Sequence, residues 1–153
     1  MRILIMGCGR VGSSVAVRLE QEDHEVTVLD LDESSFRRLP SSFKGRRMVG
    51  SGTNHSDLES AGIEGTDAFL ALSQGDNRNI LASQIVKHLY GVPRVVTRLY
   101  DPFRGEIFGR LGLRTFSPTV VGADLAYRAL MDAQPAPSSE DRDTDTAVSA
   151  LGE

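Results

Sequence analysis

The first thirty residues, MRILIMGCGRVGSSVAVRLEQEDHEVTVLD, constrain this chain more than any other stretch. Arg2-Ile-Leu-Ile-Met6 is an apolar run too short for a helix and rich in strand formers. Gly7-Cys-Gly9-Arg-Val-Gly12 follows, and then Val11, Val15, Ala16 and Leu19 recur on one helical face. A second apolar run, Glu25-Val-Thr-Val-Leu29, ends on Asp30. A lone G-x-G-x-x-G is weak. Here a strand precedes it, a helix follows, and an acid stands roughly 20 residues on, which is the setting the motif needs. Gly7 allows the tight turn off the strand, Gly9 lets backbone approach a pyrophosphate, and Gly12 lets the helix pack on the sheet. The free N–H groups and positive end of that helix then face phosphate. Asp30 can accept hydrogen bonds from ribose hydroxyls, and its charge opposes a 2′-phosphate, so NAD(H) or an adenosine nucleotide is favoured over NADP. The competing reading is a glycine turn with an empty loop. Arg10 reads as a phosphate contact, with a solvated arginine at a helix start as the alternative.

The rest of the chain alternates strand and helix. Leu31-Asp-Glu-Ser-Ser35 leads into a short helical pattern through Phe36 and Leu39 that Pro40 ends, with Asp32 as its N-cap. Arg47-Met-Val-Gly50 reads as a third strand, Gly50-Ser-Gly-Thr53 as a loop over the sheet's carboxyl edge, and Asn54 to Asp57 as the start of a helix holding Leu58 and Ala61. Ala68-Phe-Leu-Ala-Leu72 is a continuous apolar run, as expected for a strand covered on both faces. Ser73-Gln-Gly-Asp76 follows, with Asp76 or Asn77 capping a long helix whose buried stripe is expected to be Leu81, Ile85 and Leu89 with Ile80 alongside, and which Gly91 and Pro93 end. Val95 to Leu99 and Gly112 to Phe116 are the fifth and sixth strands, with a short helix around Ile107-Phe108 between them. The pattern predicts an α/β fold, a Rossmann-like doubly wound parallel six-stranded sheet of order 3-2-1-4-5-6 with helices on both faces. Its ligand crevice should lie where Gly9, Asp30, Gly52 and Ser73 converge.

The last predicted helix, Thr119 to Met131, is apolar almost all round. A helix packed on one side of a domain keeps a polar face, and one that does not needs a second surface to bury it. The expectation is a helix that crosses to a partner subunit; a helix tucked under a loop is the alternative. Beyond it, Gln134-Pro-Ala-Pro-Ser-Ser-Glu-Asp begins a polar, acidic tail with too little apolar content to fold. The organisation is thus a nucleotide-binding domain over 1–118, a crossover and dimerisation helix over 119–133, and a disordered tail over 134–153.

Composition narrows the class. A chain of 153 residues fits one domain with a real core. Net charge −4 gives no basic footprint, so no nucleic-acid partner is expected. No apolar run is long enough for direct membrane insertion, so a membrane would matter only through a partner. The single Cys8 cannot form an internal disulfide and suggests a reducing cytoplasm. It fits the glycine loop as a small side chain; a helix N-terminus would lower its pKa, which leaves a redox role as the minor alternative. His24, His55 and His88 are scattered over predicted loops and helix surfaces, with no grouping that suggests catalysis.

With Gly7 to Gly12, Asp30, Thr53, Asp76, Asn79 and Leu111-Gly112 in view, the chain resembles the nucleotide-binding domains of potassium-transport regulators, called RCK, KTN or TrkA N-terminal domains. Gly50-Ser-Gly-Thr-Asn54 followed by Leu58 and Ala61-Gly-Ile63 matches that family's GDAT-then-LxxAGI pattern, and Arg98 with Asp101-Pro102 matches its closing part. The resemblance runs from Met1 to about Met131. It implies a cytoplasmic regulatory domain without catalysis, held at the inner face of the plasma membrane through a potassium channel or Trk/Ktr transporter subunit. It further implies binding of NAD or NADH, with ATP or ADP as the alternative ligand, and homodimers or higher homo-oligomers through the 119–131 helix. By resemblance Gly7, Cys8, Gly9, Arg10, Val11 and Gly12 would line the phosphates, Asp30 and Leu31 the ribose, Ser51, Gly52 and Thr53 the adenine side, and Ser73, Gln74 and Arg98 the opposite rim. Two departures stand out. Ser51 replaces the family's usual Asp, which weakens the acceptor for an adenine amino group. The family continues after its crossover helix into a second, smaller ligand domain, where a polar tail is expected here, either because the sequence is a piece of a longer protein or because the regulator is naturally short. The rival class is an NAD-dependent oxidoreductase subunit whose substrate sits on a partner, against which stands the lack of a substrate domain or Tyr-xxx-Lys pair.

Overall fold

A computed structural model describes residues Met1–Asp132, and the chain divides into two units, Met1–Val121 and Gly122–Glu153. In the first, six parallel strands are ordered β3-β2-β1-β4-β5-β6. These are β1 (Arg2–Met6), β2 (Glu25–Asp30), β3 (Arg46–Val49), β4 (Ala68–Ala71), β5 (Arg94–Arg98) and β6 (Arg114–Phe116). Between them run α1 (Arg10–Gln21), a short 3-10 helix (Glu33–Arg38), α2 (His55–Ser60), α3 (Asp76–His88) and α4 (Pro102–Arg110). The predicted doubly wound sheet and its strand order are what the structure has.

Two apolar layers cover the central strands, and the period of two along a strand divides the residues between them. Leu4, Met6, Leu29, Phe69 and Ala71 point to the face covered by Leu58 of α2 and by Ala82 and Val86 of α3. Ile3, Ile5, Val26, Val28 and Ala68 point to the other, with Ala16 of α1, Leu39 and Phe43. This is why β1 and β4 read as unbroken apolar runs rather than as alternating ones.

Two local readings are corrected. Ile80 is buried and Ile85 packs against the core as expected, but the rest of the buried side of α3 is Asn79, Ala82, Ser83 and Val86, while Leu81 and Leu89 are 53% and 73% exposed. The helix turns small and polar residues inward because it lies close on β4 and β5. Ser83 Oγ accepts from the buried Thr97 hydroxyl (2.7 Å), so polarity there is satisfied rather than exposed. Apolar periodicity cannot see such a face. Gly75, not Asp76 or Asn77, is the N-cap of α3, because the Asp76 carboxylate accepts instead from the backbone of Tyr100 (2.9 Å) and Asp101 (3.1 Å). His55 stays largely exposed, hydrogen-bonded to Tyr90 Oη and 3.1 Å from Glu59.

The last helix, α5, runs Pro118–Asp132. In the second unit its Leu125, Tyr127, Leu130 and Met131 are all more than 60% exposed in the single chain, and Arg128 pairs with Asp124 at 2.9 Å. The expected tail, 134–153, lies outside the described residues. Among the described residues no helix is long and apolar enough to cross a membrane.

Candidate functional site

A cavity of about 800 Å³ opens at the carboxyl ends of the strands, over the point where the order reverses between β1 and β4. In open parallel sheets this is where ligands bind. Its floor is the turn from β1 into α1. Gly7 has φ +106°, and a Cβ there would stand 2.6 Å from Ser73 N, so only glycine lets the β1 and β4 loops touch. A Cβ on Gly12 would run onto the Gly7 carbonyl oxygen, which makes Gly12 a packing glycine beneath the site. Gly9 differs from both. Nothing lies within 4 Å of a Cβ built there, and Gly9 lines the cavity. Gly9 is also the N-cap of α1, with no side-chain cap and no acid in the first turn. The first-turn N–H groups therefore lack intrahelical partners, and no carboxylate of the helix's own first turn offsets its positive dipole end.

Asp30, at the tip of β2, is half-buried on the cavity wall. Its Oδ2 accepts from Cys8 N (2.6 Å) and its Oδ1 from Asp32 N (2.9 Å). Each oxygen keeps a lone pair for an incoming hydroxyl. Asp32 caps the 3-10 helix as expected, accepting from Ser34 N (2.9 Å) and Ser34 Oγ (2.7 Å), and these bonds hold its carboxyl below the usual range.

On the far side of the cavity a second network fixes the rim. Asn79, fully buried, donates to the carbonyls of Ser73 and Arg98 (both 2.9 Å) and accepts from Ser73 Oγ (2.8 Å). Arg98 is 6% exposed; its Nη2 donates to Ser73 O (2.7 Å) and its guanidinium carbon lies 4.7 Å from the Tyr100 ring centre. Its Nε is buried with no hydrogen-bond partner among the described residues. An orphaned donor of this kind on a cavity wall is a place for a ligand's acceptor.

The structure brings Gly7, Gly9, Arg10, Val11, Asp30, Leu31, Ser51, Gly52, Ser73, Gln74 and Arg98 onto one cavity. Cys8, Gly12 and Thr53 do not line it. Cys8 is fully buried among Ile3, Ile5 and Val28, so only its amide, held by Asp30, belongs to the loop. Burial first, and then the Asp30 charge, push its thiol up to about 11, opposite to the acidic thiol expected at a helix N-terminus. Thr53 instead supports Ser51, oxygen to oxygen at 2.9 Å. Arg38, Arg78, Tyr100 and Pro118 also reach the cavity, beyond the residues the sequence motifs point to. Arg38 and Arg78 carry no motif signal, and Tyr100 is readable only as a residue next to Asp101-Pro102. With Arg10 and Arg98 they put four guanidinium groups against two carboxylates, Asp30 and Asp32, in a chain whose net charge is −4. Among the described residues no group of three or more His, Cys, Asp or Glu side chains could hold a metal ion.

Residues 3–118 match the family described as the TrkA-N domain. The chain belongs to that family. The Trk system potassium uptake protein TrkA of Streptomyces coelicolor is 50% identical over 131 residues, which is 86% of this chain and 59% of that protein. This TrkA-N chain therefore spans about three fifths of the length of that relative. The structure described as the GsuK RCK domain is 25% identical with a TM-score of 0.73, covering 84% of this chain and 28% of that one. A second, the GsuK channel bound to NAD, has a TM-score of 0.63 at 21% identity and covers 76% of this chain and 21% of that one.

Proposed function

We propose that this TrkA-N chain is the nucleotide-sensing part of a regulatory subunit of a Trk/Ktr-type potassium transporter or a potassium channel, working at the inner face of the plasma membrane without catalysing a reaction. Its ligand is NAD(H) or an adenosine nucleotide such as ATP or ADP. The observation that carries this reading is the open space over Gly9 at the bare N-terminus of α1, flanked by the Asp30 carboxylate. The pyrophosphate rests on the first-turn amides and beside Arg10, the ribose hydroxyls donate to Asp30, and the base lies toward Ser51 and Gly52. The charge on Asp30 disfavours a ribose 2′-phosphate. Ser51 offers an adenine amino group a hydroxyl that already contacts Thr53, so base selectivity is modest. The 50% identical relative named for potassium uptake supports the partner, and the NAD-bound channel of similar fold supports the ligand.

Occupancy acts by population shift: it can move the equilibrium between two poses by no more than the nucleotide's difference in affinity for them. The exposed apolar surface of α5 is the element through which two copies associate, and that association ties one crevice to the next. Thermal denaturation of the chain with NAD, NADH, ATP, ADP and NADP tests the ligand, because only binders of the native state raise the midpoint. Stabilisation by at least one of the first four and none by NADP is expected; no shift with any of them refutes the sensor reading. Sedimentation at monomer mass for wild type, or no change with Leu130→Glu, would remove α5 as the interface.

A further inference from the structure

The rim of the crevice and the start of α5 are joined by a short chain of contacts that the nucleotide reading does not use. Arg98 and Tyr100 both line the cavity, and so does Pro118, the first residue of α5. The Arg98 guanidinium lies over the Tyr100 ring, and its Nε is buried without a partner among the described residues. The Tyr100 backbone is held on both sides: its N–H donates to Asp76 Oδ1 (2.9 Å), and its carbonyl accepts from Ser117 Oγ (3.1 Å). The same Ser117 hydroxyl accepts from Val120 N (3.4 Å), and the Ser117 carbonyl accepts from Val121 N (3.1 Å). One serine thus bonds both to the cavity wall and to the first turn of the helix.

We infer that Tyr100 and Ser117 form the link by which nucleotide in the crevice changes the first turn of α5. This rests on the nucleotide reading above and names the regulation of that same site. A buried charged donor without an acceptor leaves the rim poised, since a ligand oxygen that satisfies Nε gains more than one that meets an already paired group. To reach Nε, the ligand must slide the guanidinium across the Tyr100 ring or turn that ring aside. Either movement loads the Tyr100 carbonyl, whose partner is the Ser117 hydroxyl. Ser117 does not line the cavity, so it acts as a positioning residue and touches no ligand. The Ser117–Tyr100 bond is the part of the linkage that can be cut without removing a ligand contact.

Amide hydrogen exchange at Val120 and Val121, read by NMR on the full chain with and without saturating ADP or NADH, tests the inference. In wild type the exchange at these amides is expected to change by about threefold or more on saturation. In Ser117→Ala the free chain exchanges faster at Val120, but nucleotide leaves the rates where they were. Ser117→Thr keeps the hydroxyl and restores the response, which a general loosening of the helix would not do. Tyr100→Ala, compared at saturation whatever its affinity, also loses it. Unchanged exchange in saturated wild type overturns the link, and so does a response that survives in Ser117→Ala. Failure of wild type to bind either nucleotide by calorimetry is a separate result, which removes the nucleotide reading and this inference with it.

Discussion

Asp30→Ala separates what the acid does for the fold from what it does for a ligand. In the free chain the carboxylate is already a structural acceptor, taking Cys8 N at 2.6 Å and Asp32 N at 2.9 Å. A hydrogen bond to a charged group contributes about 1.5–3 kcal/mol net. Losing the two bonds has unequal consequences. Cys8 is fully buried, so its amide is left without its acceptor, whereas Asp32 is exposed and its amide is taken up by water. The first loss therefore dominates, and the total is about 3 kcal/mol. For a domain of this size 1 kcal/mol moves the midpoint by roughly 4 °C, so Asp30→Ala should melt roughly 10 °C lower, read by circular dichroism. Asp30→Asn keeps an oxygen for the Cys8 amide without the charge and should lose roughly half as much. Nucleotide at about 100 times its Kd should restore about 2.7 kcal/mol to wild type and nothing to Asp30→Ala. An apo midpoint within about 2 °C of wild type would refute the tether to Cys8. A nucleotide shift that survives in Asp30→Ala would refute the ribose contact.

The remaining tests are simpler. Gly9→Ala should melt within about 0.5 kcal/mol of wild type, since nothing crowds its Cβ, yet lose its nucleotide shift; Gly12→Ala should fail to fold stably, because its Cβ runs into the Gly7 carbonyl. A Gly9→Ala chain that binds as wild type does would remove the phosphate from that floor. Asn79→Ala strips three hydrogen bonds from the rim and should cost about 3 kcal/mol in urea unfolding, with a loss below about 1 kcal/mol arguing that water replaces the amide. Cys8 should resist alkylation at pH 8 until the chain is unfolded. Its folded pKa of about 11 lies above the ordinary 9.0, so its contribution to stability is complete below pH 9 and is lost as pH rises from 9 toward 11. The difference in pH dependence between wild type and Cys8→Ala measures it, and parallel curves would refute the burial argument.

Much of this was legible in order along the chain. The turn Gly7–Gly12, the acid closing β2 and the strand–helix alternation are local patterns with local causes, so they predict the sheet order and the position of the crevice. Asp32 as a cap and Pro40 as a stop are of the same kind. Each depends on one backbone conformation or on a periodicity a few residues long.

What the chain order could not reveal was the partner each group would have. Asp76 looks like a helix cap and instead holds Tyr100, 24 residues on. Leu81 and Leu89 look like a core stripe and face outward, because hydrogen bonds to distant groups let Asn79 and Ser83 be buried in their place. Cys8 stands among site residues in the sequence, but it is buried in the core cluster with Ile3, Ile5 and Val28, and that burial, then the Asp30 charge, raises its pKa. Periodicity ranks residues by their own apolarity; burial, charge state and hydrogen bonding depend on what folding brings alongside, and those neighbours come from other strands.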